Sequence, residues 1–126
     1  QPSSPNRHDT RIMVVDDEVA LRQLVESVLI RDGYTVVSAG NTREAMESFS
    51  RAGRIDLLLT DVMMPGMSGK ELASELQEQR PDLKVIFMTG QMGTAVERHG
   101  PLEPVVLEKP FTTKQLLQCI HLKLRT

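Results

Sequence analysis

The chain has 126 residues, 40% of them apolar, and a formal net charge of −2 at pH 7. This length and composition suit one compact domain with a real core. The charge is nearly balanced, and no run of Lys or Arg predicts binding to nucleic acid or to an anionic membrane surface. No apolar stretch approaches the ~20 residues of a membrane span. A single cysteine, Cys119, excludes an internal disulfide, and the three histidines lack metal-ligand spacing. A reducing, cytoplasmic setting is the prediction that fits these features.

The first ten residues, QPSSPNRHDT, are polar and rich in Pro and Ser, a composition typical of a linker. We therefore predict a linker or disordered start at 1–10 and one domain at 11–126. The chain starts at Gln1 rather than Met, which favours a domain cut from a longer protein. A processed or tag-derived terminus is the alternative.

Short apolar runs alternate with helical patterns along the rest of the chain. The runs are rich in Val, Ile and Leu without clean alternation, as in strands that a parallel sheet buries on both faces. Strands are predicted at 11–15, 34–39, 55–60, 83–89 and 104–108.

Amphipathic helical patterns follow the first, second, third and fifth of these strands. The first helix carries apolar residues at three- and four-residue spacing between Leu21 and Leu29. Capping-box signals open the other three at Asn41, Ser68 and Thr112, each with Glu or Gln three residues later. Strands alternating with helices imply right-handed crossovers and a doubly wound, three-layer α/β domain.

Charged and polar side chains stand where four of the predicted strands end. Asp16 and Asp17 follow the first strand and Asp61 the third, while Thr89 ends the fourth and Lys109 follows the fifth. Each has an ordinary explanation alone, as a helix cap, a loop acid or a solvated charge. Ligands of open parallel sheets bind beyond the carboxyl ends of the strands, so the shared placement favours a site.

The residue types at this edge indicate phosphoryl chemistry. Clustered carboxylates repel one another, and a divalent cation among them makes the cluster tolerable. Oxygen ligands with room for water suit Mg²⁺. A carboxylate beside Mg²⁺ and an ammonium can attack phosphorus to give an acyl phosphate. Lys109 can then pair with one phosphoryl oxygen, and the Thr89 hydroxyl can donate to another.

Four motifs, in this order and spacing, resemble the receiver domain of two-component response regulators. They are VVDDE (14–18), LLLTDVMMPGMSG (57–69), MTG (88–90) and EKPF (108–111). The resemblance runs from about Arg11 to the end of the chain. It implies a flavodoxin-like (βα)5 fold whose parallel five-stranded sheet has the order 2-1-3-4-5.

The resemblance also assigns roles to the residues of the site. It makes Asp61 the phosphoacceptor, Thr89 the switch hydroxyl and Lys109 the cation that pairs with phosphate, and it implies a cis Lys109–Pro110 bond. The implied ligands of Mg²⁺ are Asp16, Asp17, Asp61 and the backbone carbonyl of Met63.

The resemblance further implies a partner and a context for the chain. The phosphoryl donor is a histidine on a histidine kinase or on a helical phosphotransfer domain, and this domain itself contacts neither nucleic acid nor membrane. The domain is then a signalling phosphoacceptor that assists its own phosphotransfer. The EKPFT sequence and the linker-like start resemble receivers attached to hybrid sensor histidine kinases.

One position departs from the family pattern. Receivers usually carry Tyr or Phe three residues before the lysine of the fifth strand, and here that residue is Val106. Rotation of an aromatic side chain therefore cannot carry the switch. The segment 90–100 is short for a helix and contains Gly93, which disfavours helix. We expect this segment to be poorly ordered or only one to two helical turns long before phosphorylation, and to be ordered by a bond from Thr89 to the phosphate. A loop that is loose in both states is the alternative.

Three alternatives compete with a phosphorylated receiver. A phosphatase of the haloacid-dehalogenase type places a second Asp two residues after its nucleophile, where this chain has Met63, which cannot shuttle a proton. A flavin-binding module needs a phosphate cradle after the first strand, but acids follow it here. A receiver-like scaffold that is never phosphorylated would keep the fold without the reaction.

Overall fold

The computed structural model describes residues 9–64, 66–90 and 105–125. The elements in chain order are β1 (Arg11–Val15), α1 (Val19–Arg31), β2 (Thr35–Ala39), α2 (Thr42–Ala52), β3 (Leu57–Asp61), α3 (Gly69–Gln79), β4 (Lys84–Thr89), β5 (Val105–Glu108) and α4 (Thr113–Arg125). The predicted strands are confirmed, with ends shifted by at most two residues. Most of the predicted linker at 1–10 and of the segment at 90–100 lies outside the described residues.

The five strands pair in parallel in the order β2-β1-β3-β4-β5, which confirms the predicted topology. β1 lies between β2 and β3, where Ile12 is in register with Val36 on one side and Leu57 on the other. All of β3 is buried. Burial on both faces explains why these strands read as continuous apolar runs rather than alternating ones.

Each face of the sheet is covered by a helical layer with its own apolar core. Met13 and Leu58 point toward the layer of α2 and α3, where Phe49 and Leu76 belong to the same core. The alternate strand residues meet the layer of α1 and α4. Among the helices of the described ranges, none is long and apolar enough to cross a bilayer.

The predicted helix starts are confirmed by their hydrogen bonds. The Ser68 hydroxyl accepts from the amide of Glu71 at 3.2 Å, and the Glu71 carboxylate accepts from the amide of Ser68 at 3.0 Å. Thr112 and Gln115 exchange the same pair of bonds at 3.0 and 2.9 Å. The Asn41 side chain accepts from the third amide after it at 2.8 Å. These bonds satisfy amide groups that the first turn of a helix leaves without a partner.

Both ends of the described fold are tied to the edge of the sheet where the strands begin. The amide of Arg11 donates to the Asp56 carboxylate at 2.8 Å. At the other end of the chain, the Lys84 ammonium, at the start of β4, donates to the carbonyl of Leu124 at 3.2 Å. These contacts therefore lie at the opposite edge of the sheet from the side chains of the predicted site.

Candidate functional site

The ends of β1 and β3 bring the three predicted acids together. Asp16 and Asp61 are buried, with 0% and 8% of their surfaces exposed, whereas Asp17 is exposed. One carboxylate oxygen from each of the three lies within 4.8 Å of the other two. The site is therefore a half-open acidic pocket with two of its acids in the protein interior.

Lys109, directly after β5, places its ammonium between the two buried acids. Its Nζ lies 3.0 Å from Oδ2 of Asp16 and 3.2 Å from Oδ2 of Asp61. Its backbone amide donates to the Thr89 carbonyl at 2.8 Å, and its bond to Pro110 is cis, as the resemblance implied. Lys109, which follows β5, thus contacts residues at the ends of β1, β3 and β4.

Backbone amides orient the other oxygens of the two buried carboxylates. Oδ1 of Asp16 accepts from the amide of Glu18 at 2.9 Å. Oδ1 of Asp61 accepts from the amide of Met63 at 3.3 Å. In each carboxylate one oxygen therefore accepts from an amide of its own loop and the other contacts the Lys109 ammonium. These two contacts fix the plane of the carboxylate.

The pKa values of the central pair move in the same direction for different reasons. Burial raises the pKa of Asp61 above its ordinary value, since Lys109 opposes this only in part and the Asp16 charge adds to it. Burial acts to lower the pKa of Lys109, but the hydrogen bonds and charges of Asp16 and Asp61 outweigh it, so that the pKa of the ammonium is raised. Lys109 is therefore charged at neutral pH, and Asp61 is a carboxylate that binds a proton more readily than usual.

Thr89 and Met63 also lie at this edge. Thr89 ends β4, only 2% exposed, one residue beyond Met88, whose register partner is Asp61. Met63 is 69% exposed, and its amide donates to Oδ1 of Asp61. The structure thus brings every predicted site residue to one edge, while the role of the Met63 carbonyl stays a prediction.

Comparison with known proteins agrees with this geometry. Residues 12–121 match the family model of the response regulator receiver domain. The chain belongs to this family. Over 113 residues it is 35% identical to the response regulator receiver protein CpdR of Brucella abortus. The aligned region covers 88% of this chain and 93% of CpdR.

Two further proteins resemble this receiver domain. Sensor kinase CckA of Brucella abortus is 38% identical over 108 residues, but the match spans 83% of this chain and only 11% of the kinase. A crystal structure of response regulator protein TrrA of Thermotoga maritima, in complex with Mg²⁺ and BeF, superposes with a TM-score of 0.74 at 32% identity. That superposition covers 89% of this receiver and 96% of TrrA.

The acidic pocket of the receiver fits a hard divalent cation. Mg²⁺ binds oxygens at about 2.1 Å, which places neighbouring ligand oxygens about 3 Å apart. The three carboxylate oxygens lie within 4.8 Å of one another, so one ion among them would draw them closer together. The exposure of Asp17 leaves that side open to water, which Mg²⁺ retains in most protein sites.

Val106 stands where receivers usually have an aromatic residue. It is half-buried and packs against the core under α2 and α3. An aliphatic side chain in this place offers no ring to rotate toward Thr89. The segment predicted to respond instead, 90–100, falls almost entirely outside the described residues.

Two residues of the site were not predicted from the sequence. Gly69, the first residue of α3, donates to the Val62 carbonyl at 2.9 Å, and a Cβ added to it would lie 2.0 Å from the carbonyl oxygen of Asp61. Arg22 on α1 donates from Nη1 to the carbonyl of Asp16 at 2.8 Å. A glycine just after the capping serine was a usable signal for the first, but no motif marked the second.

Gly69→Ala should destabilise the domain and displace Asp61. The new Cβ would overlap backbone that cannot turn aside, so we expect the free energy of unfolding to fall by at least about 2 kcal/mol. Chemical denaturation measures the change. Gly90→Ala is the matched control, because a Cβ at Gly90 meets no described residue within 4 Å, and its effect should stay within about 0.5 kcal/mol.

Asp61→Asn should stabilise the metal-free domain at neutral pH. Because the pKa of Asp61 is raised on folding, its ionised form favours the unfolded chain once the pH exceeds the ordinary carboxyl pKa of about 4. We expect the variant to gain about 1 kcal/mol at pH 7 in EDTA. The gain should vanish below about pH 4, where the carboxyl group is protonated in both states. Asp82→Asn, at an acid whose side chain is 79% exposed, is the control, and an equal gain there would contradict the explanation.

Proposed function

We propose that this receiver domain takes a phosphoryl group from a phosphohistidine partner onto Asp61, with Mg²⁺ as its cofactor. The observation that carries the proposal is the position of the Asp61 carboxylate. It lies 3.2 Å from the Lys109 ammonium and close to the two acids Asp16 and Asp17. A carboxylate in this place is oriented, nearly shielded from water and next to an ammonium that attracts an incoming phosphoryl group.

In the proposed reaction, a carboxylate oxygen of Asp61 forms a bond to phosphorus while the bond from phosphorus to the donor imidazole nitrogen breaks. The imidazole leaves with the bonding electron pair, and the product is a mixed anhydride of carboxylic and phosphoric acids. Bound Mg²⁺ supplies positive charge for the phosphoryl oxygens. Asp16, Asp17 and Asp61 would hold the ion with side-chain oxygens, and Met63 with its backbone carbonyl.

Lys109 and Thr89 would hold the product. The Lys109 ammonium lies at Oδ2 of Asp61, within reach of a phosphoryl oxygen attached to that carboxylate. Thr89 ends β4 beside the register partner of Asp61, so its hydroxyl can donate to another oxygen of the same group. Because the Thr89 carbonyl accepts from the amide of Lys109, the two are coupled through the backbone.

The family places such a domain in two contexts, represented here by a receiver protein of nearly equal length and by a much longer sensor kinase. We propose a domain at 11–126 with a linker at 1–10, acting in the cytoplasm on a histidine kinase or a helical phosphotransfer domain. The hybrid-kinase context rests on the match to CckA and on the EKPFT motif.

The phosphatase alternative is not favoured. Met63 occupies the position at which such an enzyme needs its general acid, and its side chain is apolar and 69% exposed. A receiver scaffold without phosphorylation remains as an outcome of the experiment that follows.

Phosphoramidate is a suitable small donor, because its phosphorus–nitrogen bond resembles that of phosphohistidine. With Mg²⁺, the intact mass of the wild type should increase by one phosphoryl group, and with EDTA it should not. Asp61→Asn should stay unmodified and Asp82→Asn, at an exposed acid, should react as the wild type does. Phosphate on the Asp61 variant, or none on the wild type, would refute the assignment.

Lys109→Gln should slow the same reaction by about 100-fold, as loss of one preorganised charge partner at a reacting centre does. The variant also removes the ammonium that lies between Asp16 and Asp61. Lys114→Gln, at an exposed position of α4, removes an equal charge away from the site. The mass assay followed in time gives both rates, and equal rates for the two variants would contradict the role of Lys109.

A further inference from the structure

The peptide unit between Asp16 and Asp17 links two acids of the pocket, and hydrogen bonds hold the backbone of Asp16 at its amide and at its carbonyl. The amide of Asp16 donates to the carbonyl of Ala39 at 3.2 Å, and its carbonyl accepts from Arg22 Nη1 at 2.8 Å. β1 ends at Val15, so this carbonyl lies beyond the regular pairing of the strand. Asp16 is fully buried, so a carbonyl without a hydrogen-bond partner there would be unfavourable.

Arg22 reaches this carbonyl from a fixed point. Its amide donates to the Glu18 carbonyl at 3.0 Å, the first hydrogen bond of α1, so that its Cα is set by the first turn of the helix. The carbonyl of Asp16 and the nitrogen of Asp17 share one rigid plane. A guanidinium that fixes this carbonyl therefore also fixes the direction in which Asp17 leaves the strand.

We propose that Arg22 is a positioning residue for the acidic pocket, which sets the Asp16–Asp17 peptide plane and thereby the geometry of the cation site. The inference rests on the proposed function, since it concerns the residues assigned to Mg²⁺. Arg22 acts through the backbone, and its contact is to a carbonyl rather than to a carboxylate.

Gly40, directly after β2, lies beside the guanidinium of Arg22. A Cβ added to Gly40 would lie 2.8 Å from Arg22 Nη1 and 3.5 Å from Oε1 of Glu44. The φ angle of Gly40 is outside the left-handed region, so the backbone does not require glycine here. Its amide is held by Oε1 of Glu44 at 2.8 Å. The absence of a side chain at this position makes room for the guanidinium.

A simpler explanation makes Arg22 only a nearby positive charge that offsets the acids. The two explanations predict opposite signs. A charge of this kind repels a cation, so neutralising it would tighten Mg²⁺ binding. A positioning residue improves the site, so removing it would weaken Mg²⁺ binding.

The test measures Mg²⁺ affinity by calorimetry with Arg22→Gln, Arg22→Lys, Gly40→Ala and the Arg22→Gln/Gly40→Ala double variant. We expect Arg22→Gln to weaken binding about 10-fold, as losses of groups that orient ligands do. Arg22→Lys keeps the charge and one donor and should recover part of this. Gly40→Ala should weaken binding by displacing the flexible guanidinium, and the double variant should be no worse than Arg22→Gln, because both changes act on one contact.

Arg31→Gln is the charge-matched control, at an exposed position in the last turn of the same helix, and should bind Mg²⁺ as the wild type does. A second measurement needs no metal. In EDTA, the amide resonance of Asp17 should shift in Arg22→Gln and Gly40→Ala but not in Arg31→Gln.

The outcomes separate the two levels of the proposal. A wild type that neither binds Mg²⁺ nor accepts phosphate overturns the proposed function. A competent wild type with Arg22→Gln binding equally or more tightly overturns the role of Arg22 alone. Gly40→Ala removes no hydrogen-bonding group, so it decides the question if Arg22→Gln does not fold, and unchanged affinity together with an unshifted Asp17 resonance would refute the inference.

Discussion

Like charges are crowded where β1 and β3 end, and the ammonium of Lys109 lies 3.0 Å from Asp16 and 3.2 Å from Asp61. Two buried carboxylates around one cation keep a net negative charge, which is unfavourable in a protein interior. Contacts with neighbouring groups keep the two carboxylates from moving apart. Amides hold the free oxygens, Gly69 lets α3 approach the backbone of Asp61, and Arg22 holds the carbonyl behind Asp16. The excess negative charge of a pocket held in this state would favour the cation proposed above.

The same crowding opposes the stability of the domain. The raised pKa of Asp61 shows that burial disfavours its ionised form, so the carboxylate reduces stability at neutral pH. Two apolar cores, one on each face of the sheet, offset this loss. Substitutions that relieve such strain commonly stabilise proteins at the expense of function. The two effects come from different parts of the structure. The apolar cores lie between the sheet and its helices, and the clustered charges of the site lie at the ends of the strands.

The strands and the site were predictable from the sequence for one physical reason. Strands buried on both faces leave long apolar runs, and parallel strands finish at the same edge, so the residues that follow Val15 and the residue that ends β3 had to meet. The contact of Arg22 with the Asp16 carbonyl was not predictable in this way. It depends on how α1 lies over the end of β1, and a backbone acceptor has no signature in the sequence. The closeness of Gly69 to Asp61 likewise depends on the docking of α3 within a fraction of an ångström.

The ties of Arg11 and Leu124 to the starting edge of the sheet have a consequence for assembly. A strand of five residues rises about 17 Å, so the ends of the domain and the acidic pocket lie on opposite poles. A chain that continues from either of these ends would therefore leave the domain on the side away from the pocket. The edge that carries Asp61 would then stay open to the helical partner proposed above.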